Sequence, residues 1–409
     1  MATALVFCPN SSGHRQVYTA IYADFLRRRG LDVTVALGEA TPGEAPAASS
    51  VVGALMRGGG VQLRDLGDCS RTLRVRGSWI DPLLRVEGAL RPALTILPTG
   101  DEARLCLAGL GSASPSHRPK RAALFLAIRY VYAPDTRALP MPERMRLAVK
   151  RARHAADEAR YFGTEIWSDL GIDVGLAISE EFVRRPEGRR YGYVPDPYRE
   201  RLSANAAVDP ALDESAQELA RFVRERPGAA VLPYYGLRAA RRGYDSLLAL
   251  AAGEPNALVV SVGREEPGER FPHDVEALRG RLSAEGRLWE RTVPFLPSCN
   301  PLVDAVYGAA AVAVLPYRNF PFSSGAVLDA ARMGAPCLVP DIGWMAARVR
   351  ERGVGRTYRH LNEADLRRRF REMLPEAASY RRAALGFADE YGPDKLEAAL
   401  AAALASVLP

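Results

Sequence analysis

The order strand, glycine-containing loop, helix, strand fills roughly the first forty residues, and it constrains the fold more than any other feature of the chain. Residues 2–8 form an apolar run of strand length, 9–14 a loop, and 18–29 a segment with helical periodicity. A glycine ends the helix, and 31–37 continues as a second strand rich in valine and leucine. A β-α-β unit of this kind implies a parallel sheet.

The same order returns in the second half of the chain. Residues 229–233 read as a strand, 234–243 as a loop, 244–252 as a helix and 257–262 as a strand. Continuous runs of valine and leucine without polar alternation mark strands that are covered on both faces. The remaining predicted elements are strands at 93–98, 122–128, 293–296, 311–315 and 336–339, and helices at 142–162, 208–226, 301–309 and 324–333.

A length of 409 residues suits two or three domains. The sequence predicts a crossover between two domains at the charged stretch 184–190 and the proline-containing segment 193–198. Proline fixes φ and forces the residue before it to be extended, which suits a connecting segment. We therefore predict an α/β fold of two tandem, doubly wound, Rossmann-like domains with a cleft between them. The predicted parts are an N-terminal domain (1–200), a C-terminal domain (201–385) and a final helix (386–409) that packs across the domains.

The basic excess of +7 does not by itself indicate a nucleic-acid partner. All but three of the 55 basic residues are arginine, a bias that favours genomic composition over function. One stretch, 144–153, interleaves five basic residues with Met145, Ala148, Val149 and Ala152. It is either a solvated helix face or a weak contact with an anionic membrane surface.

The five cysteines are scattered and contain no C-x-x-C pair, so neither a disulfide framework nor a metal site is indicated. The most apolar run, 305–315, is shorter than the ~20 residues that span a bilayer. The first residues read as a strand and not as a signal peptide. We expect a cytoplasmic protein, with peripheral contact at the inner face of the membrane as the alternative.

The stretch 314–336 is the most informative for chemistry, because a strand and a Pro-Tyr loop lead into Ser-Ser-Gly at the start of a helix. The free N–H groups of a first helical turn attract anions, and Gly325 lets a ligand approach the backbone. A diphosphate fits such a site, and Asp329, about one turn later, is placed to accept hydrogen bonds from ribose hydroxyls. The alternative is that Ser323 only caps the helix and Asp329 is solvated.

The run Leu328-Asp329-Ala330, with 334–336 and 341–343, resembles the C-terminal domain of sugar-nucleotide-dependent glycosyltransferases of the GT-B architecture. It is most similar to their large retaining group, the glycosyltransferase family 4-like enzymes. In that family an acidic residue at the position of Asp329 binds the donor ribose. An earlier glutamate maps onto Pro321, so the resemblance implies that Ser323, Ser324 and Gly325 take over its donor contacts.

A second similarity lies in 235–248, which resembles the family pattern F-G-x(5)-K-G-x-D-x-L-L with Arg242 at the lysine. The resemblance implies that this cation grips the donor diphosphate, which a guanidinium does with two parallel bonds. A surface arginine is the alternative reading for Arg242 and for Arg238. The predicted donor-binding residues are Gly13, Gly236, Arg238, Arg242, Gly263, Arg264, Tyr317, Ser323, Ser324, Gly325 and Asp329.

The loop 11–14 and Tyr18 are similar to the G-H-x(3)-Y opening of many such transferases. The resemblance makes His14, with Arg242, a catalytic candidate that orients an acceptor or contacts a donor phosphate; a helix-start histidine with a local hydrogen bond is the alternative. Helix capping by Thr99 or Asp101 competes with an acceptor role for that loop. The predicted acceptor residues are Ser12, Tyr18, Asp101, Glu102, Arg129 and Tyr130.

The resemblance implies transfer of a sugar from a nucleoside diphosphate sugar to a hydroxyl of a small-molecule or glycan acceptor. It implies retention, no metal and no tightly bound cofactor, and the chain has no D-x-D after a predicted strand. A sugar-nucleotide 2-epimerase, a coupling enzyme that forms no glycosidic bond, and a binding protein without catalysis remain alternatives. A dinucleotide-dependent oxidoreductase is disfavoured, because neither β-α-β opening contains G-x-G-x-x-G with a later acid.

Overall fold

The computed structural model describes residues 2–9, 14–38, 61–66, 75–113, 118–126, 128, 131, 141–196, 210–266, 268–293 and 301–409. The strands are β1 Thr3–Cys8, β2 Asp32–Leu37, β3 Val61–Asp65, β4 Leu94–Leu97, β5 Lys120–Phe125, β6 Val174–Ala177, β7 Tyr191–Tyr193, β8 Ala230–Tyr235, β9 Ala257–Gly263, β10 Leu288–Thr292, β11 Ala313–Val314, β12 Cys337–Pro340 and β13 Gly355–Tyr358.

Helices alternate with these strands, as a parallel sheet requires. They are α1 His14–Arg28, α2 Ile80–Leu90, α3 Gly100–Cys106, α4 Met141–Arg160, α5 Ile166–Asp169, α6 Glu180–Val183, α7 Pro210–Arg224, α8 Tyr244–Ala252, α9 Val275–Ala284, α10 Pro301–Gly308, α11 Gly325–Arg332, α12 Gly343–Arg352, α13 Glu363–Met373, α14 Arg381–Asp389 and α15 Pro393–Leu404.

The first seven strands form one parallel sheet in the order β3-β2-β1-β4-β5-β6-β7. The strand order reverses between β1 and β4, which pair through Ala4 and Leu94. Apolar side chains cover both faces of this sheet in two separate clusters. The reversal opens a crevice at the carboxyl ends of β1 and β4, where ligands bind in sheets of this type.

The second half contains two three-stranded parallel sheets, β10-β9-β8 and β11-β12-β13. They lie side by side, since β8 and β11 are in contact and the Ala311 N–H donates to the Val231 carbonyl at 3.1 Å. Apolar clusters cover both faces here as well. The strand order therefore reverses between β8 and β11, and the loops after these two strands emerge side by side.

The predicted fold class is confirmed, and most of the predicted elements agree with the structure within two or three residues. The strand predicted at 293–296 is not tested, because 294–296 lie outside the described part of the chain; the structure has β10 at Leu288–Thr292, just before it, which the sequence pattern did not predict. β10 is an edge strand with the polar residues Glu290, Arg291 and Thr292, so no continuous apolar run marks it.

The last helix, α15, returns to the first sheet. Leu396, Leu400 and Leu404 belong to the core that covers β1 and β2, and a Cβ on Gly192 of β7 would come within 2.3 Å of the Ala403 Cβ. The preceding helix, α14, belongs to the core of the second half through Ala384 and Phe387. The chain therefore crosses between the halves twice.

A buried ion pair ties α2 to the first sheet. Arg121, at the start of β5, donates from Nε and Nη2 to Glu87 of α2 at 3.0 and 2.6 Å, and the Thr95 hydroxyl donates to the same carboxylate at 2.9 Å. Both charged side chains are about 1% exposed. Their mutual pairing offsets the cost of removing two charges from water.

We predict that Glu87→Gln lowers the free energy of unfolding by about 3–5 kcal/mol, because it leaves the Arg121 cation buried without its counter-charge. The matched control is Asp24→Asn, which removes a carboxylate from exposed pairs with Arg27 and Arg28 and costs at most about 1 kcal/mol. Urea unfolding of the full chain measures both. Equal losses in the two variants would contradict the prediction.

Candidate active site

The strand reversal of the second half brings Arg242 and the Pro-Tyr loop together. Arg242 follows β8, and its Nη2 donates to the Tyr235 carbonyl at 3.0 Å and to the Tyr317 hydroxyl at 2.8 Å. Its Nε lies 3.2 Å from the same hydroxyl. Tyr317 follows β11, so one phenol connects the loops after the two strands at the reversal.

The start of α11 lies at the same phenol. The Ser324 hydroxyl donates to the Tyr317 hydroxyl at 3.3 Å. Ser324 is the extended N-cap residue of α11, and its side chain makes no capping hydrogen bond to the helix. Arg242 and the helix opening, which the sequence predicts to act on one diphosphate, therefore meet through a single shared neighbour, Tyr317.

The surroundings of Arg242 keep its positive charge. Burial lowers the pKa of this guanidinium, but the hydroxyls of Tyr317, Tyr234 and Tyr307 raise it by more, so the pKa lies above its ordinary value. The guanidinium carbon also lies 5.5 and 5.4 Å from the ring centroids of Tyr234 and Tyr317. These aromatic faces stabilise a cation in a partly buried position.

Two of the predicted glycines are required by close packing at the ends of β8 and β9. A Cβ on Gly236 would come within 1.8 Å of Arg242 Nη1, and Gly236 has φ +126°. A Cβ on Gly263 would come within 1.7 Å of the Gly236 carbonyl oxygen. Glycine at both positions therefore makes room for the Arg242 guanidinium over the strand ends.

An ion pair that sequence reasoning missed fixes the loop that carries Tyr317. Arg318 donates from Nη1 and Nη2 to the two carboxylate oxygens of Asp245 at 2.6 and 2.8 Å, and Asp245 is fully buried at the start of α8. Nη1 also donates to the Ala240 carbonyl at 2.6 Å. The glycosyltransferase-like G-x-D spacing contains Asp245 and was the available signal for it, whereas nothing local marks Arg318.

Arg238, predicted as a donor residue, has protein partners for its guanidinium. It is 1% exposed, and its nitrogens donate to the Ser261 hydroxyl at 2.9 Å, the Thr292 hydroxyl at 3.2 Å and the Arg291 carbonyl at 2.9 Å. These bonds tie together the ends of β9 and β10. Arg238 thus supports the strand ends, while Arg264, just after β9, is exposed.

The acidic and hydroxyl residues around α11 differ in their surroundings. Asp329, in the second turn of α11, is only 2% exposed. The Ser323 hydroxyl donates to Asp196 Oδ2 at 3.0 Å, and Asp196 also accepts a hydrogen bond from the Tyr18 hydroxyl of α1. Asp196 therefore connects Tyr18, a predicted acceptor residue, with Ser323, a predicted donor residue.

A second contact between the halves lies at α12. Arg348 is buried, and its Nη2 donates to Glu180 at 2.8 Å and to Glu181 at 2.6 Å, both on α6 of the first half. Its Nη1 donates to Glu351 on its own helix at 2.6 Å. Three carboxylates around one guanidinium make a charge-assisted junction between the two halves.

The crevice of the first sheet contains two further predicted acceptor residues, Asp101 and Glu102. Asp101 Oδ2 accepts from the Leu126 N–H at 2.8 Å, just after β5, and Glu102 forms an ion pair with Arg15 of α1. The pair spans the reversal between β1 and β4. Burial raises the pKa of the nearby Cys8 thiol to about 11, so this thiol is neutral near pH 7.

Several predicted residues fall outside what the structure describes. They are Ser12, Gly13, Arg129, Tyr130 and the side chain of His14, whose backbone begins α1. Among the described residues, no group of three or more His, Cys, Asp or Glu side chains is arranged to hold a metal ion. No described helix has the length and apolar character needed to cross a bilayer.

Comparison with known protein families and with curated proteins gave no match. Solved structures are similar over the whole chain. Sucrose-phosphate synthase from Thermosynechococcus elongatus is 12% identical with a TM-score of 0.60, covering 100% of this chain and 99% of that one. HepE of Anabaena, in complex with UDP, is 13% identical with a TM-score of 0.63, covering 99% and 100%.

WaaG, a glycosyltransferase involved in lipopolysaccharide biosynthesis, is 14% identical with a TM-score of 0.57, covering 98% of this chain and 99% of that one. HepE has also been solved with UDP-glucose. At these identities the similarity is one of fold. The chain has the GT-B fold, with two Rossmann-like domains.

We predict that Gly236→Ala destabilises the protein more than Gly228→Ala, by about 1.5–3 kcal/mol, the contribution of hydrogen bonds from a charged group. Both glycines have positive φ, but a Cβ on Gly228 meets nothing within 4 Å, whereas one on Gly236 displaces Arg242 from Tyr235 and Tyr317. Denaturant unfolding gives the difference. Equal destabilisation would show that the Arg242 contacts add nothing to stability.

Proposed function

We propose that the protein is a glycosyltransferase that moves a sugar from a nucleoside diphosphate sugar to an acceptor hydroxyl. The observation that carries the proposal is the junction of Arg242, Tyr317 and Ser324 at the strand reversal of the second half. The Arg242 guanidinium and the N-terminal end of α11 lie at the same edge of the sheet, and both kinds of group bind the negatively charged oxygens of a diphosphate. The GT-B fold and the UDP complexes of HepE support the same substrate class.

In this proposal the second half, 201–385, binds the donor. Arg242 neutralises the diphosphate as it leaves, and the backbone N–H groups near Ser324 and Gly325 bind its oxygens. The ribose is proposed to bind at Asp329, which is 2% exposed. The remaining donor contacts are proposed for Gly13, Gly236, Gly263, Arg264, Tyr317 and Ser323, with Arg238 acting only through the strand ends that it ties together.

The first half, 1–200, holds the acceptor at the crevice between β1 and β4. Tyr18 lies at that crevice and contacts Asp196, which brings it to the donor half. Asp101 and Glu102 have protein partners at the same edge, so they are proposed to shape the acceptor site together with Ser12, Arg129 and Tyr130. His14, at the start of α1, orients the acceptor or contacts a donor phosphate.

The proposed reaction breaks the bond between the sugar C1 and the diphosphate oxygen and forms one from C1 to the acceptor oxygen. The acceptor proton passes to an oxygen of the departing diphosphate. We propose retention at C1, as in the family 4-like enzymes. We also propose metal independence, because the Arg242 guanidinium supplies positive charge at the leaving group. A cytoplasmic location belongs to the same proposal.

We predict that Arg242→Ala raises the Kd for UDP about 10- to 100-fold, since a hydrogen bond to a charged group contributes about 1.5–3 kcal/mol. Arg241→Ala is the matched control, because the neighbouring Arg241 is exposed and should leave the Kd within about twofold. Titration calorimetry with UDP measures both variants.

The proposal fails if none of the UDP, GDP, ADP and dTDP sugars binds to the protein measurably. Mass analysis of the products then separates glycosyl transfer from the alternatives on the same fold. A product in which the donor sugar is only epimerised, or in which no glycosidic bond forms, would contradict the assignment of glycosyl transfer while leaving the donor site intact.

A further inference from the structure

The first two and a half turns of α4 carry an apolar stripe on the surface of the protein. Met141, Met145 and Val149 are 62%, 65% and 64% exposed. Residues four apart lie on one face of a helix, so the three side chains form a continuous line. Only eight large hydrophobic side chains are exposed in the described part of the chain, and the other five are dispersed over separate segments. The stripe is therefore the main exposed apolar surface among the described residues.

Cationic side chains border this stripe on both edges. On a helical projection at 3.6 residues per turn, Arg146, Lys150 and Arg153 follow one edge, and Arg144 and Arg151 follow the other. Among the described side chains none of the five takes part in an ion pair, in contrast to arginines on other described helices, such as Arg281, Arg352, Arg368 and Arg371. We call Met141, Met145 and Val149 with these five cations the α4 surface.

The chemistry of the α4 surface fits the interface of an anionic bilayer. Exposed apolar side chains insert at the boundary between headgroups and acyl chains, and flanking cations remain among the headgroup phosphates. A second copy of this chain is a poorer occupant, because an isologous contact would bring the like-charged edges together. An acidic protein would match the cations but would need an apolar pocket shaped to the stripe, whereas a bilayer accepts it without complementary shape.

Among the described residues, the contacts of α4 with the rest of the first half lie at its C-terminal end. Glu158, in the last turn, pairs with Arg104 of α3 at 3.5 Å. The stripe at the other end of the helix is exposed.

We infer that the α4 surface docks the protein onto membranes that contain anionic phospholipid. Contact requires both components of the surface, the cations for attraction and the stripe for insertion. The inference uses no property of the diphosphate site, so it stands or falls independently of the proposed glycosyl transfer.

Vesicle flotation of the full chain tests the inference. We expect the protein to float with vesicles of equimolar phosphatidylcholine and phosphatidylglycerol and to remain behind with phosphatidylcholine alone. Added salt should reduce the bound fraction, because it screens the attraction to the headgroups. Failure to float with the anionic vesicles, or equal binding to both compositions, would overturn the inference.

The charge component is tested with Arg146→Glu, Lys150→Glu and Arg153→Glu combined. We expect vesicle partitioning to fall more than about tenfold, because each basic residue near an anionic surface contributes separately. The matched control reverses Arg224, Arg350 and Arg382 to Glu, which are exposed on three other helices and give the same net charge. If vesicle partitioning fell equally in the control, the net charge of the protein alone would explain the effect, and the assignment to α4 would be overturned.

The apolar component is tested with Met145→Ser and Val149→Ser combined, against Leu63→Ser and Leu385→Ser as exposed controls elsewhere. We expect only the α4 variant to lose partitioning, with unchanged urea unfolding in both. Sedimentation velocity gives a further outcome. A wild-type dimer that the α4 serines convert to monomer would assign the stripe to a second copy and overturn the membrane proposal.

Discussion

The pair of Arg318 and the fully buried Asp245 is the interaction on which the arrangement at the strand reversal depends. Asp245 lies at the start of α8, behind the loop that follows β8, and Arg318 lies in the loop that follows β11. Two parallel hydrogen bonds between them fix the distance between these loops. Tyr317 precedes Arg318, so its phenol is held where both Arg242 and Ser324 reach it. The ion pair thereby fixes the loop after β11 to the helix α8, which follows the loop after β8.

The layered α/β architecture was predictable from sequence because its central strands are covered on both faces. β1, β8, β9 and β12 appear as continuous apolar runs, and the helix α8 is predicted with the bounds that the structure has. Edge strands have one solvated border and tolerate polar residues. For that reason β3, β10 and β13 carry arginines within short segments and lack a clear periodic signal.

The candidate site was predictable in its composition but only partly in its geometry. The sequence alone does not distinguish Arg238 from Arg242, because both follow the same strand and are four residues apart. In the structure Arg238 donates hydrogen bonds to the Ser261 hydroxyl and the Arg291 carbonyl, whereas Arg242 donates to the Tyr317 hydroxyl. Asp196 and Arg348 join the two halves through partners far away along the chain, at Ser323 and Glu181. No spacing rule within a short motif can identify such partners.

The return of α15 to the first sheet makes the second half a topological insertion. β1 and α15 belong to the same half, with β1 near the centre of its sheet and α15 packed on its face. The second half is one uninterrupted stretch from α7 to α14, joined at two junctions. Recombination that exchanges this stretch as a cassette would leave the core of the other half covalently unaltered. An architecture of this kind allows its two halves to diversify at separate rates.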